Sequence, residues 1–180
     1  MLRGLTRVSD NKAGLTLIEV LVSILLMVVV FLGVSALHVA SQTFYFNAND
    51  KITISSELQY AADHIYKNVM RAVGDETAPP GSRPLEVPNP STLYVTINNN
   101  TPITKSNYNS TVTYTYSKSD DDLLFNDGSA PAESIAPKVT ITDVSFELSG
   151  NILTIALTGS YRTQTLTFYS ACYPQLSSFR

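Results

Sequence analysis

Glu19 is the residue of this chain whose setting most strongly indicates chemistry. It lies near the start of an apolar run, residues 15–37, in which no other side chain is ionisable. A carboxylate within a segment of membrane-spanning length costs free energy, and such residues are usually kept for a function. The sequence therefore predicts a task for Glu19 that depends on its charge.

Other residues that could carry catalysis or bind a metal stand alone in the sequence. His38 and His64 have no Cys, Asp or Glu partners at metal-ligand spacing, so both are expected to be ordinary surface histidines. Cys172 is the only cysteine, which excludes an internal disulfide and favours a small buried side chain. No serine lies in a nucleophile-elbow motif, and no glycine-rich phosphate loop occurs. We therefore expect no catalytic residue, no metal site, no cofactor and no enzymatic activity.

An acidic stretch, residues 120–128, leaves one question of metal binding open. Its aspartates could offer several oxygen ligands to a calcium ion, although their spacing does not match an EF-hand loop. An acidic, solvated turn between two strands is the simpler interpretation. A calcium titration that leaves the melting temperature unchanged would exclude the ion.

The element that positions Glu19 is a helix long enough to cross a bilayer. At about 1.5 Å per residue, residues 15–37 reach about 35 Å, against about 30 Å of hydrocarbon core. Three cations, Arg3, Arg7 and Lys12, precede the run, and none follows it before Lys51. The positive-inside rule then predicts a single-pass protein with a cytoplasmic N-terminus and an exported remainder.

Two plain interpretations of this segment compete with a sharper one. A secretory signal could be cleaved near residues 34–36, but Glu19 interrupts the apolar centre and the run is long for a signal. A plain membrane anchor would tolerate Glu19 near the headgroups, but it gives no reason for the residues ahead of the run. Neither interpretation accounts for the whole pattern.

Residues 14–22, Gly-Leu-Thr-Leu-Ile-Glu-Val-Leu-Val, closely resemble the cleavage and methylation motif of type IV prepilins and type II secretion pseudopilins. The resemblance implies that residues 1–14 are a leader peptide cut after Gly14 and that Leu15 becomes the N-methylated first residue. It also implies an assembly and registry role for Glu19, whose carboxylate offsets the N-terminal amine of a neighbouring subunit in the filament core.

The same resemblance implies a set of partners and a location. The partners would be other minor and major pilin or pseudopilin subunits, the prepilin peptidase, the inner-membrane platform protein and the membrane itself. The head would be periplasmic, the anchor would lie in the inner membrane, and the assembled form would be an envelope or surface filament. A net charge of −3 at pH 7 argues against a nucleic-acid partner.

Beyond the membrane segment, the periodicity of the sequence changes twice. Residues 38–73 continue the helix with one apolar face (Ile54, Leu58, Ala61, Ile65, Val69 and Ala72) and one polar face (Glu57, Asp63, Lys67 and Arg71). Residues 74–90 are rich in proline and predict a linker. Residues 91–180 alternate like strands, at 93–97, 112–116, 139–141, 144–148, 152–157 and 165–169, with a hairpin signal at 149–151.

These elements predict an α+β fold, a long N-terminal helix packed on an antiparallel β head, as in pilins. The order of elements is similar to that of the type II secretion pseudopilin J and minor pilin W types. Many major pilins carry a proline in the membrane helix, and none interrupts it here, so the resemblance implies a minor subunit rather than a major one. We therefore expect a structural subunit that initiates or caps filament assembly. The alternative is a single-span, membrane-tethered periplasmic binding module that does not polymerise, and it predicts that Glu19→Ala is tolerated.

Overall fold

The computed structural model describes residues 16–74, 83–97 and 110–173. It contains one long helix, α1 (Leu17–Met70), followed by eight strands. The strands are β1 (Leu85–Asn89), β2 (Thr92–Ile97), β3 (Ser110–Ser117), β4 (Asp122–Asn126), β5 (Glu133–Ser134), β6 (Thr140–Ser149), β7 (Ile152–Tyr161) and β8 (Gln164–Cys172). The chain divides into two compact units, Met1–Tyr45 and Phe46–Arg180, which are described separately below.

In the second unit, α1 buries the face that the sequence predicts. Its apolar positions recur at steps of three and four, which places them on one side of a 3.6-residue helix. All six predicted positions are buried, namely Ile54, Leu58, Ala61, Ile65, Val69 and Ala72. The helix itself ends at Met70, and Ala72 instead forms an isolated antiparallel bridge with Ile97.

The strands form two antiparallel sheets. Sheet A has five strands in the order β1-β2-β3-β4-β5, and sheet B has three in the order β6-β7-β8. The predicted hairpin at 149–151 is present: β6 and β7 pair up to Ser149 and Ile152, and Gly150 has a φ of 59°. A glycine with positive φ at the first turn position suits a two-residue hairpin.

The predicted linker 74–90 differs from the structure at its end, because Leu85–Asn89 form β1 and pair with β2. Pro88 argues against a strand in the sequence, but β1 is an edge strand with an irregular register between Glu86 and Asn89. Proline is tolerated there because an outward-facing N–H is not needed for the ladder.

Two further expectations about the strands also need correction. The acidic stretch 120–128 is not one turn, since Asp122–Asn126 form β4, and the hairpin loop ends with Asp121 at a φ of 51°. The predicted strands 139–141 and 144–148 are one strand, β6, with a bulge between Ile141 and Asp143.

The core of the second unit lies between α1 and the two sheets. Tyr114 of β3, Phe146 of β6 and Leu157 of β7 are among its largest fully buried side chains, and they meet the apolar face of the helix in one cluster. A long N-terminal helix packed on antiparallel sheets confirms the predicted α+β, pilin-like fold class.

Candidate functional site

The first turn of α1 carries Glu19 and is capped by Thr16. The Thr16 carbonyl accepts hydrogen bonds from the backbone N–H groups of Glu19 (3.1 Å) and Val20 (3.2 Å), and its Oγ1 lies 3.4 Å from the Glu19 nitrogen. Thr-x-x-Glu is the sequence of a capping box, in which the threonine satisfies an orphan donor of the first turn. Thr16 was not predicted as a helix cap, although the Thr-x-x-Glu spacing alone indicates one.

Glu19 itself is exposed and lies where a negative charge suits a helix. Acidic residues in the first turn are stabilised by the partial positive charge of the helix N-terminus. The backbone carbonyl of Glu19 accepts a hydrogen bond of 2.8 Å from Ser23 Oγ, which leaves the carboxylate out of that contact.

The apolar surface that follows Glu19 is the largest unexplained feature of the first unit. An 18-residue window of α1 has a mean hydropathy of 3.0, and none of it is buried inside the protein. Among residues 20–37, its large side chains range from Val20, 43% exposed, to Leu37, 72% exposed. Soluble monomers rarely expose contiguous apolar surface beyond a few hundred Å². This helix is thus long and apolar enough to span a membrane and supports a membrane-anchored protein.

Gly14 and Leu15, with the whole leader 1–14, lie outside the described residues. Their assignment to leader cleavage and N-methylation therefore stays a prediction from the sequence. Thr16, the first described residue, directly follows these two positions in the chain, and Glu19 lies three residues further on.

A second group of polar residues joins α1 to sheet A in the head. The buried Tyr114 hydroxyl accepts a hydrogen bond of 2.6 Å from Asn68 Nδ2. It also lies 3.0 Å from Nδ1 and 3.2 Å from the backbone carbonyl of His64. The prediction of an ordinary surface role for His64 is therefore wrong: the ring is half-buried and meets Phe125 edge-on at 4.7 Å.

Burial governs the titration of this group. It lowers the pKa of His64 below 6.5, helped by the Lys67 charge and opposed by Glu133. Burial also raises the pKa of the Tyr114 hydroxyl well above its ordinary range. Both side chains are consequently neutral at pH 7, as a hydrogen-bonded contact between packed elements requires. His38, by contrast, is exposed and lies 3.0 Å from Gln42.

Two ion pairs connect α1 to other elements of the head. Asp50, only 4% exposed, receives a hydrogen bond of 3.4 Å from Arg162 in the β7–β8 turn. Glu57 receives one of 3.0 Å from Lys138. Glu57 was expected on the polar face, but it is buried, because Lys138 reaches it from the segment before β6.

The oxygens of the acidic stretch are engaged in local hydrogen bonds. Asp120 Oδ2 accepts from Ser117 Oγ at 2.6 Å, and Asp122 Oδ1 accepts from Ser134 Oγ at 2.8 Å. Asp127 Oδ1 accepts from the hydroxyl and the backbone of Ser129, which lowers the pKa of that carboxyl. Among residues 16–74, 83–97 and 110–173, no three His, Cys, Asp or Glu side chains are grouped as metal ligands.

Cys172 is buried at the end of β8. Its thiol is free, and burial raises the pKa of that thiol to about 11. A thiol with so little thiolate at neutral pH is a poor nucleophile. The geometry agrees with the small buried side chain that the sequence favours.

One family model matches the chain, the prokaryotic N-terminal methylation motif, over residues 9–35. The match includes Gly14, Leu15 and Glu19 and supports a type IV pilin-like protein. Proteins with this motif are structural and associate with other pilins and with a prepilin peptidase. No curated protein and no solved structure matches the chain.

Proposed function

We propose that this chain is a structural subunit, a minor pilin or minor pseudopilin, of a type IV pilus or a type II secretion pseudopilus. It initiates or caps filament assembly after leader cleavage and N-methylation. The observation that carries the proposal is the combination of the methylation motif with an apolar, membrane-length stretch of α1 of which none is buried inside the protein. A surface of that kind is stable only in lipid or against the apolar surfaces of other helices.

The first step is processing at the membrane. Cleavage after Gly14 by the prepilin peptidase creates a new amine on Leu15, which is then methylated. Glycine suits the position before the cut because a residue without Cβ lets the backbone lie close to a protease. The cations of residues 1–14 hold this end in the cytoplasm until cleavage.

The second step is transfer from lipid to filament. A cytoplasmic ATPase-driven machine extracts the subunit through the platform protein, and the apolar helix moves into a core of like helices. Glu19 then meets the amine of a neighbouring subunit, because an unpaired carboxylate in that core is heavily penalised. Pairing of this sort sets registry more than it adds stability. The head stays in the periplasm and carries the contacts with neighbouring subunits.

The test of processing is mass spectrometry of the membrane fraction. We expect a methylated N-terminus at Leu15 in the wild-type chain and the intact Met1 terminus in Gly14→Val. Gly4→Val, which adds the same side chain elsewhere in the leader, should be processed normally. A wild-type chain that starts at Met1 or near Leu37 would overturn the proposal.

The test of assembly separates a filament subunit from the alternative, a tethered binding module that does not polymerise. Glu19→Ala should be processed and retained in the membrane but lost from sheared filaments. Asp63→Ala removes an exposed carboxylate from the same helix and should leave incorporation unchanged. Equal incorporation of wild type and Glu19→Ala would contradict the registry role, and absence of wild type itself from sheared filaments would favour the tethered module.

A further inference from the structure

The two sheets of the head have four edge strands, and three of them are protected against pairing with another chain. β1 contains Pro88 and an irregular register, and β5 has only two residues. β6 carries a bulge as well as Asp143 and Glu147, and it packs against β1 and β4. Short strands, proline, charges, bulges and cover by other elements are the usual means of blocking an edge.

Within residues 16–74, 83–97 and 110–173, β8 has none of these protections. It runs for nine residues, Gln164–Cys172, without proline or charge, and it pairs with β7 at every position without a bulge. It lies at the outer edge of sheet B, and no backbone hydrogen bond joins its free side to another described part of the chain. A long, regular and uncharged edge is a template for an added strand.

The register identifies the groups that the edge offers. β7 and β8 are joined by a two-residue loop, and Tyr161 pairs with Gln164 at its base. The closing pair of such a hairpin exchanges both of its hydrogen bonds, and bonded pairs then alternate along the ladder. The backbone groups that point outward therefore belong to Thr165, Thr167, Tyr169 and Ala171, whose side chains are all exposed.

We propose that the free edge of β8 binds an extended, uncharged strand of a neighbouring filament subunit, which extends sheet B to four strands. The inference rests on the proposed function for the identity of that neighbour. The outward N–H and C=O groups of β8 can form hydrogen bonds with the backbone of another strand. Because β8 carries no charged side chain, an uncharged strand suits this edge. The side chain of Tyr169, which is 73% exposed, can form a cross-strand contact with the added strand.

The test changes the edge while leaving the β7–β8 ladder intact. Thr167→Pro removes one outward N–H, and proline is tolerated where the N–H faces away from the ladder. Each lost backbone hydrogen bond weakens association by about 1 kcal/mol, or about fivefold. We expect at least that loss of incorporation into sheared filaments. Thr167→Lys, which adds a charge without removing the N–H, should reduce incorporation in the same direction.

The matched control is Thr154→Lys, which adds the same charge on the exposed face of the central strand β7, opposite Ala171. It should assemble like wild type, and thermal melts should show that all three variants fold. Equal loss in the control would mean that the face, not the edge, makes the contact, and would overturn the proposal. Normal incorporation of both Thr167 variants would also overturn it.

Hydrogen exchange of the full chain separates this proposal from the proposed function. In detergent, the amides of Thr165, Thr167, Tyr169 and Ala171 should exchange fast, and in filaments about tenfold or more slower. Protection already present in detergent would overturn the proposal, because the chain would then cover its own edge. If the wild-type chain never enters filaments, the proposed function fails. In that case, slower exchange of these amides in native membranes than in detergent would still support the edge contact. Equal exchange in membranes and detergent would exclude it.

Discussion

At the scale of single residues, Arg162 shows how one side chain can outweigh a backbone preference. It occupies the first position of the two-residue β7–β8 loop with a φ of 54°, where glycine is the unstrained choice. Its guanidinium reaches Asp50, whose side chain is almost fully buried in α1. A buried carboxylate without a partner costs more than the roughly 1–2 kcal/mol of a left-handed arginine. The contact with Asp50 thus gives a physical reason for an arginine at this position.

Replacing Arg162 by glycine tests this balance. The substitution relieves the backbone but leaves Asp50 without its partner, so we expect a net loss of about 1–2 kcal/mol, reduced because Arg162 is more than half exposed. In an Asp50→Asn background the same substitution should be neutral or stabilising, because only the backbone gain remains. Urea unfolding of wild type, the two single variants and the double variant measures the coupling free energy. A stabilised Arg162→Gly single variant would contradict the coupling.

His64 makes the stability of the head depend on pH. Its folded pKa is depressed below 6.5, so the neutral form favours folding and the charged form opposes it. Burial disfavours the charged ring and the Lys67 charge repels it, whereas Glu133 favours it. The rings of Tyr60, Tyr114 and Phe125 also face it. The unfolding free energy should therefore fall as the pH drops from 7 through 6.5 toward acid.

The measurement is a series of urea unfolding curves between pH 7 and 5. His64→Gln should flatten the decline in this window, whereas His38→Gln, which changes an exposed histidine, should leave it unchanged. A decline of equal slope in His64→Gln and wild type would assign the pH dependence to other groups.

At the scale of elements, α1 packs close to the backbone of sheet B at Gly159. A Cβ at this position would lie 3.1 Å from Leu58 Cδ2 and 3.6 Å from Ile54 Cγ2. Both neighbours are fully buried, so they have little room to move. The absence of a side chain on β7 thus sets the distance between helix and sheet.

Gly159→Ala should destabilise the head by about 1–3 kcal/mol through overpacking. Leu58→Ala alone leaves a cavity and should cost about 2–5 kcal/mol. With Leu58 already truncated, Gly159→Ala should cost little or nothing. Thr154→Ala, at an exposed position of the same strand, serves as the control and should change stability by under about 0.5 kcal/mol. Strictly additive effects of the two core substitutions would refute the proposed contact.

The elements that could be predicted from the sequence are those with a strong local signal. The buried face of α1 follows from its period, and the β6–β7 hairpin follows from Gly150. β1 was not predicted because proline is compatible with a strand only at the edge of a sheet. The sequence alone does not show that Pro88 lies in an edge strand. β4 was missed because neighbouring aspartates conceal a paired strand whose Leu123 is fully buried. The contact of His64 with Tyr114 depends on which strand meets the helix, and helical periodicity does not contain that information.

In the candidate site, too, local features could be predicted from the sequence and tertiary contacts could not. Glu19 and the membrane segment follow from local composition, because a single charge in a long apolar run is visible in any window of the sequence. The helix cap at Thr16 was also visible locally, in the Thr-x-x-Glu spacing. The pairs of Asp50 and Glu57 with cations far along the chain are tertiary, and only the packed head reveals them.

At the scale of the whole molecule, the two units are adapted to different surroundings. The first, Met1–Tyr45, has no core residue among its described positions, whereas the second, Phe46–Arg180, holds every buried side chain of the main cluster. We therefore expect the head to fold without the first unit. The chain as a whole, with its exposed apolar helix, requires lipid, detergent or other helices.

A fragment of residues 46–180 should accordingly fold as a soluble protein, while the full chain needs detergent. Cys172 provides the readout, because its thiol is buried and its pKa is raised to about 11. We expect a maleimide at pH 7.5 to label the folded fragment about a hundredfold more slowly than the urea-unfolded one, since reaction requires opening of the core. A Thr154→Cys, Cys172→Ala variant places the thiol on an exposed strand position and should react at similar rates in both states. Rapid labelling of Cys172 in the native fragment, or aggregation without detergent, would show that the head depends on the first unit.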